Sequence, residues 1–399
     1  MSINFKNQIT TQILSIRRTP LGKKIKKTKN KKFPVFASVA PGFSHSAFKE
    51  AKLKIPSLEN LHITKGGVSF NSNFEDIIKA NVLLGIPSKI LLRLAKFRVF
   101  NFNTLENQVK KIPFEIFLFK NSKIKISASS RKSKLIHTKA IEEAMVKGIK
   151  QRLEINQPLE SPNPTEIKIQ IRISRDNAVI SMDSSGEHLY KRGLKTLSCH
   201  APIRENLAFA GLFNSGYNGS SMFFDPMCGS GTFSGEASII SSNTPPGIFR
   251  NFAFENWPLF DIELYKKIIS EEKRKIIRKK ETIFASDINY NNVLIAKKNF
   301  TNTEPGKNIR FFCSNFFDLK KQTSPGTIAI NPPYGIRVEK EKNFLKKLRL
   351  KLRKDFYKFT LVLTIPKSFQ DQYFTGKNFD CIPFVHGGIE MNLVIGKIE

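Results

Sequence analysis

Three short stretches carry residues whose types and spacing suit chemistry on a small organic ligand. The first is Asn331-Pro332-Pro333-Tyr334-Gly335, directly after the apolar run Ile328-Ala329-Ile330. Consecutive prolines fix the backbone and remove two N–H donors, which leaves carbonyl oxygens free to accept. An Asn side-chain oxygen and a Pro carbonyl at a strand end can hold both hydrogens of an exocyclic amine, while a Tyr ring stacks on the base. Alone, Asn-Pro-Pro is a turn. The second stretch, Phe223-Phe224-Asp225-Pro226-Met227-Cys228-Gly229-Ser230-Gly231-Thr232, runs from an apolar strand through an acid and a glycine-rich turn into a helix. Glycines there let the backbone turn sharply and approach a ligand closely. The stretch lacks both the Lys-Ser/Thr ending of a phosphate loop and the GxGxxG dinucleotide spacing. The third is the strand at 282–287, which ends in Asp287, an acid able to accept both hydroxyls of a ribose. By itself such an Asp is more often a helix N-cap. With the glycine turn upstream, the ribose reading is preferred.

The elements that must position these residues follow from periodicity and punctuation. From about residue 221 onward, strands (221–224, 282–287, 308–313, 327–330, 359–365) alternate with helices (232–242, 290–300, 344–354), which predicts a mostly parallel, doubly wound α/β sheet. The β-rich pieces flanking Gly387-Gly388 predict an antiparallel hairpin at its edge. Residues 243–281 interrupt the alternation with a basic helical stretch over 265–280. Upstream, strands at 33–39, 66–70, 90–100, 123–128 and 167–174 mix with helices at 43–53, 74–84 and 138–152, an α+β pattern.

Charge points to the partner. The 399 residues hold 66 Lys+Arg against 33 Asp+Glu, a net charge of +33. Eleven of the cations fall within residues 1–49, which contain no acid, and the other 350 residues still carry +22. An excess spread through the whole chain implies a polyanionic partner, most simply nucleic acid, over an anionic membrane surface. No stretch approaches the apolar length of a membrane span. Cys199, Cys228, Cys313 and Cys381 are far apart and form no metal pattern, which fits a reduced, cytoplasmic protein without a metal site. Residues 1–32 read as a disordered basic arm, because their lysines are too dense for an amphipathic helix.

The three ligand-directed stretches resemble class I S-adenosylmethionine-dependent methyltransferases acting on amino groups. The resemblance extends to Phe36-Ala37-Ser38-Val39-Ala40-Pro41-Gly42-Phe43, Gly66-Gly67-Val68-Ser69-Phe70, Ser133-Lys134-Leu135-Ile136-His137-Thr138, Gly186-Glu187-His188-Leu189-Tyr190-Lys191-Arg192-Gly193 and Ala201-Pro202-Ile203-Arg204-Glu205-Asn206-Leu207-Ala208. These are similar to segments of the bacterial THUMP-containing RNA methyltransferase family, and they cover nearly everything from Phe33 onward. The resemblance implies a Rossmann-like methyltransferase domain over 184–399. It would be preceded by a ferredoxin-like part over 33–73 and a THUMP RNA-binding domain over 74–183. It also implies that Asp225, Cys228, Gly229, Gly231 and Thr232 wrap the methionine end of the cofactor. Asp287 would take the ribose, with Ile288, Asn315 and Phe316 around the adenine and Asn206 or Glu205 reaching in from the covering segment. Asn315 stands where such enzymes often carry an acid. Asn331, Pro332, Pro333 and Tyr334 correspond to the catalytic tetrapeptide. Charge, not motif, marks Arg131, Lys132 and Lys134, beside the 133–138 segment, as an RNA contact. The implied product is N2-methylguanosine in large-subunit (23S) ribosomal RNA. Transfer RNA as substrate, a DNA amino-methyltransferase and a non-catalytic RNA-binding factor remain the alternatives. His386, near the end of the chain, is given a structural role.

Overall fold

The computed structural model describes residues 18–156, 158–161, 164–199, 202–278, 282–320, 322, 324–333, 338–369, 374 and 378–399. Two seven-stranded sheets organise them. The first contains β1 (Phe33–Ser38), β2 (Glu59–Thr64), β3 (Gly67–Ser72), β4 (Lys89–Arg98), β5 (Lys123–Arg131), β6 (Glu166–Ser174) and β7 (Asn177–Asp183), in the order β2-β3-β1-β4-β7-β6-β5. Only its β5–β6 pair is parallel. In β6 the cause of the strand is plain. Ile167, Ile169, Ile171 and Ile173 alternate with polar residues, and all four are buried on one face. This sheet runs unbroken through residues 33–183, so strands from the expected ferredoxin-like and THUMP portions share one set of ladders.

The second sheet is built from β8 (Phe223–Asp225), β9 (Ile283–Asp287), β10 (Ile309–Cys313), β11 (Thr327–Ile330), β12 (Thr360–Pro366), β13 (Phe379–His386) and β14 (Ile389–Lys397). Its order is β10-β9-β8-β11-β12-β14-β13. The five strands from β10 to β12 are parallel, and β14 and β13 close the edge as an antiparallel hairpin. Gly387 and Gly388 take positive φ at its tip, a conformation that costs glycine little. The order turns back between β8 and β11. In open α/β sheets a ligand crevice lies at such a reversal, outside the carboxyl ends of the strands.

One expectation from sequence needs correction. The arm is not disordered throughout, because Pro20–Lys29 is an α-helix with Thr19 as its N-cap. Its lysines point outward while Ile25 is buried in the first core, and Lys24 and Lys29 pair with Glu115 and Asp261. One buried Ile and two ion pairs are enough amphipathicity for a docked helix, where packing outweighs intrinsic pattern. The methyltransferase half is not self-contained. Phe252, Phe254, Trp257, Phe260 and Ile268, from the interruption at 243–281, pack into the core of the first sheet. In exchange, Val39, Phe43, Val68 and Ile86 belong to the core of the second. The two halves therefore interlock. Strands β2 and β7 and the helices Phe102–Lys110 and Glu205–Asn214 are further elements not foreseen above.

Candidate active site

Each ligand-directed residue sits at the carboxyl end of a parallel strand, beside the reversal. β8 delivers Asp225, whose Oδ2 accepts from the Ser234 amide at 3.0 Å. The carboxyl is buried, and burial raises its pKa to about 7 against the opposing pull of the Ser234 bonds. The turn that follows is tied across to β9, where Cys228 N donates to Ser286 O at 2.9 Å. Gly229 and Gly231 have φ of +52° and +84°. A Cβ on Gly231 would lie 3.0 Å from the Phe300 ring, whereas one on Gly229 would meet nothing within 4 Å. Gly229 therefore leaves open space beside its backbone, where a ligand can approach.

Asp287, at the end of β9, is not the helix N-cap. That place belongs to Asn289, whose side chain accepts from Asn291 N. The Asp287 carboxylate instead braces the site. Its Oδ2 accepts from Gly229 N at 3.0 Å, and its Oδ1 accepts from Asn289 N at 2.9 Å and Asn292 Nδ2 at 3.2 Å. Ile288 stands beside it, 70% exposed, as an apolar rim for a flat ring. Asn315 follows β10 and caps the short turn Phe316–Asp318, with its Oδ1 accepting from Phe317 N at 3.1 Å. Asn331 and Pro332 leave β11 directly. The Thr364 hydroxyl donates to Asn331 Oδ1 at 2.6 Å.

These residues surround a cavity of about 620 Å³, lined by Asp225, Cys228, Gly229, Thr232, Asp287, Ile288, Asn315, Phe316, Asn331, Pro332 and Pro333, all expected from sequence. Gly231 shapes the turn without lining the cavity. Tyr334 lies outside the described residues. Asn206 is a correction. Its Nδ2 donates to Ile86 O (3.2 Å) and Ser88 Oγ (3.3 Å), so it ties the Glu205–Asn214 helix to the N-terminal half instead of reaching the cavity. Glu205 pairs with Lys195 at 2.8 Å, and Lys195 in turn donates to the Thr232 hydroxyl at 3.0 Å. Arg131, Lys132 and Lys134 are exposed at the far end of β5, in the other half of the molecule. There Lys134 and Arg98 sit 5.1 and 5.5 Å from the exposed Phe100 ring. His386 is partly buried at the end of β13, and its pKa is lowered, chiefly by burial and then by the charge of Arg204.

Sequence reasoning missed Phe317 and Phe344, which also line the cavity, and Thr364 behind Asn331. Thr364 did leave a signal, as the polar residue inside the apolar run Leu361-Val362-Leu363 and Ile365. Phe344 left none that separates it from the apolar face of its own helix.

A cavity at the reversal point, with a glycine turn at one wall, a strand-end acid at the next and Asn-Pro-Pro at the third, defines a class I S-adenosylmethionine-dependent methyltransferase. The cofactor fits these residues. The space beside Gly229 admits its methionine end, Asp287 Oδ2 retains one acceptor site for a ribose hydroxyl, and Ile288 and Phe316 offer apolar surface to adenine. Comparison with known proteins agrees. Residues 192–360 match the family UPF0020, described as RMKL-like, methyltransferase domain, and residues 100–183 match the THUMP domain. The Bacillus subtilis (strain 168) protein named "Putative RNA methyltransferase YpsC" is 33% identical over 286 residues, 70% of this chain and 74% of that protein. The "Ribosomal RNA large subunit methyltransferase K/L" of Psychromonas ingrahamii is 31% identical over 303 residues, 72% of this chain but 40% of that protein. Among solved structures, "SMU.472, a putative methyltransferase complexed with SAH" superimposes with a TM-score of 0.84 at 28% identity, covering 92% of this chain and 99% of that one. TrmN from Thermus thermophilus shares the fold, with a TM-score of 0.64 at 13% identity over 92% of this chain and 100% of that one. The chain belongs to the THUMP-containing, S-adenosylmethionine-dependent RNA methyltransferase family.

Among the described residues no helix is long and apolar enough to cross a membrane, and no group of His, Cys, Asp and Glu is placed to hold a metal ion.

Proposed function

We propose that the protein methylates the exocyclic N2 amine of a guanine in RNA, with large-subunit (23S) ribosomal RNA as substrate, in the cytoplasm. The observation that carries this reading is the placement of Asn331 and Pro332 on the wall of the same cavity as Gly229 and Asp287. An amine held there meets the methyl donor. The name of the Psychromonas relative supports the ribosomal substrate, and the match to a THUMP domain supports RNA over DNA.

When bound, the cofactor supplies a methyl group on a positively charged sulfur, so no covalent enzyme intermediate is needed. The guanine N2 lone pair is delocalised into the ring and is a poor nucleophile. Asn331 Oδ1 and the Pro332 carbonyl accept its two N–H bonds, favour a tetrahedral nitrogen and aim the lone pair at the methyl carbon. Alkylation would make the amine acidic, so water could take its proton and no strong base is required of the protein. Catalysis is then positioning and electrostatic stabilisation.

Asn331→Ala tests this in single-turnover methyl transfer to ribosomal RNA from cells lacking the protein. The rate should fall by a factor of roughly 10²–10³, with cofactor and RNA affinity far less affected. Parent-rate transfer would move the catalytic assignment elsewhere. Nucleoside mass spectrometry of the same RNA should show N2-methylguanosine depleted. Loss of a methyladenosine instead would overturn the guanine reading.

A further inference from the structure

β12 lies inside the second sheet, flanked by β11 and β14, and Leu361, Val362, Leu363 and Ile365 are fully buried in it. Thr364 interrupts that apolar run at 1% exposure. A Val there would match its shape and its preference for a strand. A buried hydroxyl is destabilising unless it is hydrogen-bonded, so a Thr at this place needs a partner. The register supplies the account. Leu363 pairs with Ile330, the last residue of β11, so Thr364 is the first residue of β12 beyond that ladder and stands beside Asn331. Its hydroxyl donates to Asn331 Oδ1 at 2.6 Å and lies 3.5 Å from the Ile330 carbonyl.

A carboxamide turns about a broad, soft torsion, so the chain around Asn331 does not by itself fix the plane of its oxygen. Prolines 332 and 333 fix the backbone that follows but not this side chain. A buried donor from a central strand does fix it. We propose that Thr364 is a positioning residue for methyl transfer. It pins Asn331 Oδ1 so that the second lone pair of that oxygen is already directed at the incoming amine. This rests on the catalytic reading of Asn331 given above. It adds that the active turn is oriented by the neighbouring strand, through one hydroxyl, before RNA arrives.

Thr364→Val and Thr364→Ser separate this role from packing. Val keeps the shape and loses the donor, whereas Ser keeps the donor and loses a methyl group. A misplaced reacting group costs up to about 10²-fold, so kcat of the Val variant should fall about 10- to 100-fold while KM for RNA and Kd for the cofactor stay within about twofold. Ser should return kcat to within about threefold of the parent. In an Asn331→Ala background, Thr364→Val should cost nothing further, because the two residues act as one unit. A packing role gives the opposite order, with Ser worse than Val in both rate and melting temperature, and that order would overturn the proposal. If the Val variant does not fold, Ala replaces it, since Ala and Ser differ only in the hydroxyl. A Val variant at parent rate beside an inactive Asn331→Ala refutes the role of Thr364 alone. Parent rate in both refutes the catalytic reading of Asn331 itself.

Discussion

Asp225 and Asp287 are two carboxyls of one cavity with different surroundings. Asp287 accepts three hydrogen bonds, two of them from backbone N–H groups. Asp225 is buried and its pKa lies at about 7. Below that pH Asp225 is mostly protonated, and a cationic ligand favours its carboxylate. Because the sulfonium and ammonium groups of the cofactor are both cationic, affinity should strengthen as pH rises from 6 to 8, with a proton released on binding. Calorimetry in buffers of different ionisation enthalpy measures that proton. Asp225→Asn should bind more weakly but with no pH dependence over this range; a persisting dependence would assign the proton to another group. For Asp287, Asn keeps the side-chain shape but only one acceptor oxygen, so it holds either the Gly229 amide or the Asn289 and Asn292 donors and not both. Removing the charged acceptor should weaken cofactor binding by about 1.5–3 kcal/mol, and undiminished affinity in a folded Asp287→Asn variant would refute the ribose role.

At the scale of elements, the helix Pro20–Lys29 shows what patterning hides. Its sequence reads as solvated charge, yet Ile25 fills part of the first core, and Glu115 beneath it is buried between Lys24 and Arg152. Burial raises the Glu115 pKa, but the bonds from Arg152 and Lys24 outweigh it and hold the group ionised. Ile25→Ala should cost about 2–5 kcal/mol in denaturant unfolding, and a change within error would mean the helix is not docked. The parallel strands and their terminal residues were legible in the sequence because each is a short apolar run ending in an unusual residue, as at Asp287 and Asn331. β2 was not. It is an edge strand whose residues are mostly exposed, so no alternation marks it. Asn206 was misread for a different reason. The sequence places it beside the cofactor-covering segment, but its partners at Ile86 and Ser88 are 120 and 118 residues away, and no local pattern records them.

Across the whole molecule, the interlocked cores join the RNA-directed half to the catalytic half. Phe384 of the edge hairpin packs against Phe43, and Trp257 against Phe117 and Phe74. Not all of the 66 Lys and Arg are available to phosphate. Lys24, Lys29 and Lys32 face Glu115, Asp261 and Glu59 within the protein. Arg131, Lys132 and Lys134 at the end of β5, and Lys346, Lys347, Arg353 and Lys354 on the helix Val338–Asp355 that follows Asn331-Pro332-Pro333, are exposed, and we propose them as the RNA contacts. Leu345, Leu348 and Leu352 anchor that helix from its other face. Affinity for structured RNA should therefore fall steeply with salt, because each phosphate contact releases condensed counterions. Replacing Arg131, Lys132 and Lys134 together by Gln should reduce the slope of log affinity against log salt by about 2–3, roughly one per lost contact. Cofactor affinity should not change, since none of the three lines the cavity. Filter binding at a series of salt concentrations reads the slope. An unchanged slope with unchanged affinity would show that the end of β5 does not touch RNA and would leave the basic helix beside the catalytic turn as the contact.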